Sequence, residues 1–382
     1  MNPARLRVLG WAAGTAAAEL GLAYLGYWVW FALRSNLRGP DFIDYYTAAR
    51  VELTAGPARL YDLHLQDQAQ QAIAGHPVLL LPYLLPPWSA LPTALLGLLG
   101  YRAAYVAMGL LSLATLAAAS VLLIRTAGLS GRPALLAGAL AAGYLPGFVL
   151  LLQGQGDGFA VLALALSARF WMRGEDGRAG VLAALSLVKP QLVLLVPVLF
   201  LATRSWRAAA AYAGTALALV VITVPFFGLE GWRDYLGLVV PGLGPGFPSR
   251  GSAGFSLVAL PGPGWLHAVL LLAAAVPVVW ALAQRGDRRL SFALAVAGSL
   301  LITPYANAHD LSLLLVPLIL AAPALPAFSA FAYLGAETIL FLGPYAVVAG
   351  LVALTARLAS TRLIRPPRCG GSAACGSGRP DR

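Results

Sequence analysis

Val181-Leu-Ala-Ala-Leu-Ser-Leu-Val-Lys189-Pro190-Gln191-Leu-Val-Leu-Leu-Val-Pro-Val-Leu-Phe200 contains the only lysine of a 382-residue chain, set in a run that otherwise reads as membrane. Every other fixed positive charge is an arginine, so composition does not explain a lysine here. An ammonium in hydrocarbon costs roughly 2.5 to 3.5 kcal/mol even on the lenient insertion scale, and such a group usually faces a cavity holding something anionic. Pro190 removes a backbone donor and breaks the helix at the same point. In membranes a break of this kind is tolerated where the backbone is enclosed by protein or lines a wet cavity. Lys189 therefore reads as the counter-ion of a negatively charged ligand. The competing reading is a lysine that snorkels, or a kink with no ligand.

Working outward, a hydrophobic fraction of 59%, a charged fraction of 11% and a mean hydropathy of +0.78 place the chain outside the soluble range. Apolar windows fall near 8–33, 79–97, 104–124, 133–152, 157–172, 179–203, 208–227, 264–284, 290–305 and 311–360, the last long enough for two or three spans. At ~20 residues per crossing this predicts an all-α, polytopic bundle of about ten to twelve transmembrane helices over residues 1–362. The first window is longer and more aromatic than a cleavable signal and reads as a retained anchor.

The net charge of +11 does not call for nucleic acid, because the arginines sit in short connections between apolar windows. The positive-inside rule explains them and makes Arg125, Arg132, Arg173, Arg178, Arg204, Arg207, Arg288 and Arg289 cytoplasmic. The connections 34–77, 153–157, 228–263 and 304–310 then face outside. Parity demands that 179–203 go up and come back as two short helices meeting near Lys189 and Pro190. The window 79–97, with Pro82, Pro86, Pro87 and Pro92, reads as re-entrant or very short. Cys369 and Cys375 lie in a Gly/Ser-rich tail, 363–382, that reads as disordered and cytoplasmic. Without histidines, and in that compartment, they indicate neither a metal site nor a structural disulfide.

Polar residues concentrate at the outer side. Five of the fifteen acidic residues, Asp41, Asp44, Glu52, Asp62 and Asp67, fall in the first outer loop. There Ile43, Tyr46, Ala49, Arg50 and Leu53 have the spacing of one helical face and Gly56-Pro57 ends it, predicting a short amphipathic helix at the membrane surface; a second runs from about 63 to 74. Asp41 stands where an N-cap would, a role that leaves Asp44 unexplained. The second cluster, Gln153-Gly-Gln155-Gly-Asp157-Gly158, reads either as a plain turn or as a site where glycines let backbone approach a ligand and Gln155 and Asp157 hold sugar hydroxyls. The third is Thr303-Pro304-Tyr305-Ala-Asn307-Ala-His309-Asp310. Adjacent residues do not face each other on a helix, so His309 and Asp310 are expected to need separate partners.

No cytoplasmic segment is long enough for a nucleotide-binding domain, and neither a Walker loop nor a dinucleotide fingerprint occurs. Chemistry at the outer face therefore needs a donor supplied by the membrane, and a lipid-phosphate-linked substrate fits.

The run Asp41-Phe42-x-x-Tyr45-Tyr46-x-Ala48-Ala49, continued by Gly56 and Leu60-Tyr61-Asp62, resembles the first-loop motif of glycosyltransferase family 87. These are polyprenol-phosphate-mannose-dependent mannosyltransferases of the GT-C superfamily. Gly154-Gln155-x-Asp157, Lys189-Pro190, Arg204-Ser205-Trp206-Arg207 and Thr303-Pro304 to His309 follow in the family's order, so the resemblance spans roughly 40 to 312. Asp157 stands where an Asn is usual, Asn307 where a Trp is usual and Asp310 where a second His is usual. The resemblance implies a GT-C-type bundle and an inverting transfer from a polyprenyl-phosphate sugar, without a metal or other cofactor. The acceptor would be a glycolipid or cell-envelope glycan outside the plasma (inner) membrane.

On that reading Asp41 is the base and His309 the alternative, since an unperturbed imidazole suits proton abstraction better than an exposed carboxylate. Lys189 and Arg250 would bind the donor phosphate, and Asp44, Tyr45, Gln155, Asp157 and Asn307 the sugar or acceptor. A transporter or flippase of lipid-linked sugars or small anions is the rival class, because it too uses broken helices near the midplane. It would often show repeated halves, and the acidic loop and the Lys-Pro break each occur once.

Overall fold

The computed structural model describes residues 3–35, 41–240, 255–257, 260, 263–284, 286–338 and 344–363. In chain order its helices are α1 (Pro3–Arg34), α2 (Phe42–Ala55), α3 (Leu63–Ala74), α4 (Pro87–Thr93), α5 (Tyr101–Thr126), α6 (Gly131–Ala142), α7 (Leu145–Gln153) and α8 (Asp157–Met172). Then follow α9 (Asp176–Ala184), α10 (Leu195–Ala202), α11 (Trp206–Val239), α12 (Gly264–Ala283), α13 (Arg288–Ile302), α14 (Leu315–Ala321), α15 (Pro326–Glu337) and α16 (Pro344–Leu363). No strand occurs among the described residues. Five stretches are long and apolar enough to cross a bilayer: Val8–Arg34, Tyr101–Thr126, Gly131–Gln153, Trp206–Val239 and Gly264–Ala283. With the shorter apolar helices around them they form a polytopic membrane bundle. The window 311–360 resolves into three helices, and the tail beyond Leu363 lies outside the described residues.

The segment around Lys189 is a hairpin of half-helices. On its ascending arm α9 runs against α8, with the Ser167 hydroxyl donating to the Ala179 carbonyl at 2.8 Å. On the descending arm Phe200 returns to the Trp171 ring at a centroid distance of 5.9 Å, and the Trp171 indole donates to Ser205 Oγ. Both arms thus start and finish beside the C-terminal end of α8. Lys189, at φ −135° and ψ 82° and so kept out of the helical region before proline, is the apex.

Around the two ends of this hairpin lie the arginines. Arg207 lies beside residues 174–178, Arg288 stacks on Trp171 and reaches Asp176 at 3.3 Å, and Arg289 donates to the Ala127 carbonyl. The termini of α5, α8, α9 and α13 therefore share one arginine-rich end.

The window 79–97 does not span. Residues 77–86 are irregular, α4 has only seven residues, and Ala94–Leu98 is a 3₁₀ turn. Its prolines prevent a continuous helix, and its role is to close the hairpin apex: the Trp88 indole donates to the Leu187 carbonyl at 3.0 Å and the Ser89 hydroxyl to the Val188 carbonyl at 3.5 Å. Those carbonyls precede the Lys189-Pro190 break, and irregular backbone at membrane depth needs such partners.

The first loop holds both expected helices, α2 and α3, and Asp62 caps α3 by accepting from the His64 and Leu65 amides. α2 differs from a one-sided surface helix: Phe42, Tyr45, Ala48, Val51 and Glu52 are buried as well as Ile43, Tyr46 and Ala49, while Arg50 and Leu53 are exposed. It is enclosed because α3, α4, the 94–98 turn and α5 surround it. α11 bends at Gly228, whose φ of 62° ends the spanning part. The remainder of α11 lies over the first loop, with Tyr235 against Tyr61 and Trp232 against Trp88.

Candidate active site

Four segments remote in sequence meet at the end opposite the arginines: the head of α2, the turn between α7 and α8, the hairpin apex, and the turn leading into the 3₁₀ helix Asp310–Leu314. The Asp41 amide donates to Gln153 Oε1 at 3.1 Å, and the Tyr45 hydroxyl donates to Gln155 Oε1 at 3.2 Å. Gly154 makes this docking possible. It has φ +66°, and a Cβ there would lie 2.7 Å from Phe42 Cβ, so any side chain would push α2 away. At Gly158 a Cβ would meet Thr115 Oγ1 at 2.4 Å. These two glycines thus admit the close approach of neighbouring helices.

Lys189 is buried, and its ammonium lies 2.7 Å from Asp157 Oδ1, 2.6 Å from Asp310 Oδ1 and 3.3 Å from Gln155 Oε1. An ammonium has three donors, and three protein oxygens surround it. Among the described residues the anions that Lys189 faces are thus the protein's own carboxylates. The pairing also explains how two carboxylates tolerate burial at 1% and 0% exposure. Asp157 is the first residue of α8, where the helix dipole favours its charge. Its Oδ2 has no hydrogen-bond partner among the described residues and faces His309 Nε2 at 3.9 Å.

His309 lies between this buried pair and the surface. Its Nε2 is 3.4 Å from Asp310 Oδ1, and its Nδ1 is 3.9 Å from Asp41 Oδ2. His309 and Asp310 each have a separate partner, Asp41 and Lys189, and the chain there, a turn entering a 3₁₀ helix and not an α-helix, also lets the two approach one another. Asp310 Oδ2 also accepts from the Asn307 amide at 2.7 Å, closing the turn.

Asp41 occupies the cap position of α2 but makes no side-chain cap hydrogen bond. Its carboxylate is 31% exposed and directed at His309, making it the accessible acid of the cluster. Partial burial, reinforced by the Asp310 carboxylate, pushes its pKa up, against a lowering by Lys189. Asp44 is half-buried, and burial followed by the nearby Asp41 charge pushes it well above the usual carboxylate range. Burial likewise raises the Tyr45 phenol.

Of the residues singled out from sequence, Asp41, Tyr45, Gln155, Asp157, Lys189 and His309 come together. Asp44 lies at the edge, and Asn307 contributes its amide while its side chain donates to the Tyr305 hydroxyl at 2.7 Å. Arg250 lies outside the described residues. Asp310 received no role from sequence, although an ionisable residue at the start of an apolar run is itself a signal. Gln153 and Tyr305 were also passed over. Ligand atoms of Asp157, His309 and Asp310 lie within 4.8 Å of one another, a metal-like spacing, but the Lys189 ammonium already bridges the two carboxylates.

No curated protein and no solved structure matches this chain. The family model of glycosyltransferase family 87 matches residues 83–304, a stretch that contains Gln155, Asp157 and Lys189, begins after Asp41 and ends before His309. Since that match covers more than half of the 382 residues, and the fold is a membrane bundle with an acidic cluster at one end, the chain belongs to glycosyltransferase family 87 and is a membrane glycosyltransferase.

Proposed function

We propose that the protein moves a hexose, mannose by family resemblance, from a polyprenyl-phosphate donor to a glycolipid or glycan acceptor at the extracytoplasmic face of the plasma membrane. The observation that carries this reading is the uncapped, partly exposed Asp41 carboxylate beside His309 and above a buried acidic pair. In a single displacement the acceptor hydroxyl oxygen attacks the anomeric carbon as its proton passes to Asp41. The bond from that carbon to the phosphate oxygen breaks, polyprenyl phosphate leaves with the electron pair, and the configuration inverts. The 3.9 Å separation of Asp41 and His309 exceeds a hydrogen bond, and catalytic contacts commonly tighten only with substrate in place.

Two carboxyl groups against one ammonium leave the buried cluster rich in acceptor oxygen, with its cation already paired. Such a cluster suits the positive charge that develops on the sugar in an oxocarbenium-like transition state better than it suits a phosphate. Lys189 accordingly holds Asp157 and Asp310 in place, and the donor phosphate lies farther out, with Arg250 its counter-ion by sequence. Depth agrees with a donor that hangs from the headgroup level. The sixteen residues of α8 rise ~24 Å, less than the ~30 Å hydrocarbon thickness, so with the arginine end at the cytoplasmic boundary Asp157 sits below the opposite one.

Membranes or proteoliposomes supplied with radiolabelled polyprenyl-phosphate mannose test the reading. Wild type should label endogenous glycolipid, and Asp41→Asn should lose roughly 10² to 10⁴ of that rate while folding normally. Undiminished transfer by both Asp41→Asn and Lys189→Ala would refute the mechanism. Labelled donor that changes leaflet without transfer would favour a flippase.

A further inference from the structure

Tyr305 lies in the turn that leads into the 3₁₀ helix Asp310–Leu314, and it is 37% exposed. The aromatic rings at the head of α2, those of Phe42, Tyr45 and Tyr46, are by contrast buried in helix packing. The Tyr305 phenol is within electrostatic reach of the acidic cluster. Burial and then the Asp310 charge push its pKa up, with Asp41 adding to the rise and Lys189 opposing it.

An exposed side chain is ordinarily free to turn, and this one is held. The Asn307 side-chain amide donates to the Tyr305 hydroxyl at 2.7 Å, and the buried Thr303 hydroxyl donates to the Tyr305 carbonyl at 2.9 Å and accepts from its amide at 3.4 Å. The Ala306 carbonyl accepts from the Phe255 amide at 2.9 Å, and the Asn307 amide donates to Asp310 Oδ2 at 2.7 Å. Tyr305 is thus fixed at both ends and tied through Asn307 to a carboxylate that holds Lys189. A tyrosine of the membrane interface sets its polar end at the headgroup level. Here the hydroxyl and both backbone groups are engaged with protein, so the surface that stays uncovered is mainly ring. A ring ordered in advance lowers the cost of binding against it.

We propose that Tyr305 is the stacking platform for a pyranose ring at the acidic cluster, and that Asn307 is the residue that positions it. A sugar ring presents weakly positive C–H groups on one face, and the face of an aromatic ring is the negative part of its quadrupole. Positive charge developing on a hexose during transfer strengthens the same contact. The ring that stacks belongs to the donor hexose or to a sugar of the acceptor, since both offer such a face. This assignment rests on the glycosyl transfer proposed above, and it adds to it a residue that takes no part in proton abstraction.

The test uses full-length protein in proteoliposomes with radiolabelled polyprenyl-phosphate mannose and extracted glycolipid, measuring kcat and KM for each substrate. Tyr305→Leu should raise one KM by about tenfold or more at unchanged thermal stability: the donor's if its hexose stacks, the acceptor's if an acceptor sugar does. Tyr305→Phe and Tyr305→Trp keep a ring and should lose no more than about threefold, and Asn307→Ala, which frees the hydroxyl, should fall between. A readout without turnover separates this assignment from the reaction. With Cys369 and Cys375 replaced by serine, Tyr305→Cys should react with an impermeant maleimide and be shielded by whichever substrate stacks, even where no sugar is transferred. A wild type without transfer would count against the reaction alone, and shielding at position 305 would still decide the platform. Unchanged KM values in Tyr305→Leu, an equal loss in Tyr305→Phe, or a Tyr305→Cys that neither substrate shields would each overturn the proposal and leave Tyr305 an interfacial anchor.

Discussion

Asp41 is partly buried, and on the proposed mechanism the desolvation of its carboxylate fixes the sign of its pH response. A base must be ionised, so with a raised pKa the rate should fall on acidification at a higher pH than a free carboxylate would give. Lys189 lowers and Asp310 raises that pKa, so Lys189→Met should move the acid limb of kcat/KM up and Asp310→Asn should move it down. Limbs that do not move would detach Asp41 from the rate. A second carboxyl titrates outside the cluster. Glu52, on the far part of α2, is buried with neither oxygen hydrogen-bonded among the described residues, and burial pushes it up to about 7. Because the folded value lies above the unfolded one, its contribution to stability is complete below about pH 4.5 and is lost as pH rises through about 7. Glu52→Gln should flatten the dependence of Tm on pH over that window and raise Tm at pH 8, by up to roughly 3 kcal/mol in stability. An unchanged slope would mean that the carboxyl has a partner in the working protein.

The two elements that aim Asp41 are α2 and the turn before α8, joined at Gly154. Gly154→Ala places a Cβ against Phe42 at positive φ and should cost about 1 to 3 kcal/mol, with loss of transfer although every acidic residue is intact. Two positions on, a Cβ at Gly156 would meet nothing closer than 3.7 Å and its φ is −94°, so Gly156→Ala should be close to neutral. Thermal melts and transfer assays on the pair distinguish helix displacement from general sensitivity of the turn. α4 acts at the same scale. Its length matters less than its placement, since Trp88 and Ser89 donate to carbonyls that the broken hairpin would otherwise leave open at membrane depth.

At the scale of the whole molecule, the hairpin decides which side each connection faces. With native cysteines replaced, Gly177→Cys and Arg207→Cys should react with an impermeant reagent from the same side, and Thr54→Cys from the other. Opposite reactivity at 177 and 207 would make the segment a through-span and invert everything that follows it. Much of this architecture was legible in the chain. Apolar windows measure a local quantity, transfer into lipid, and proline and charge mark a break wherever they fall, so the five long apolar helices, the two first-loop helices and the return at Lys189 could be read directly. The sequence could not say that Lys189 is held by Asp310, 121 residues away. Nor could it say that Asp41 leaves its helix uncapped, or that 79–97 is a plug and not a crossing. Each depends on which distant segments share a few ångströms of buried space, where an ion pair is stable only if both partners arrive together. The sequence by itself determined a membrane helix bundle with acidic chemistry gathered at one end; only the tertiary structure decided which of those charges pair with one another and which carboxylate stays partly exposed beside His309.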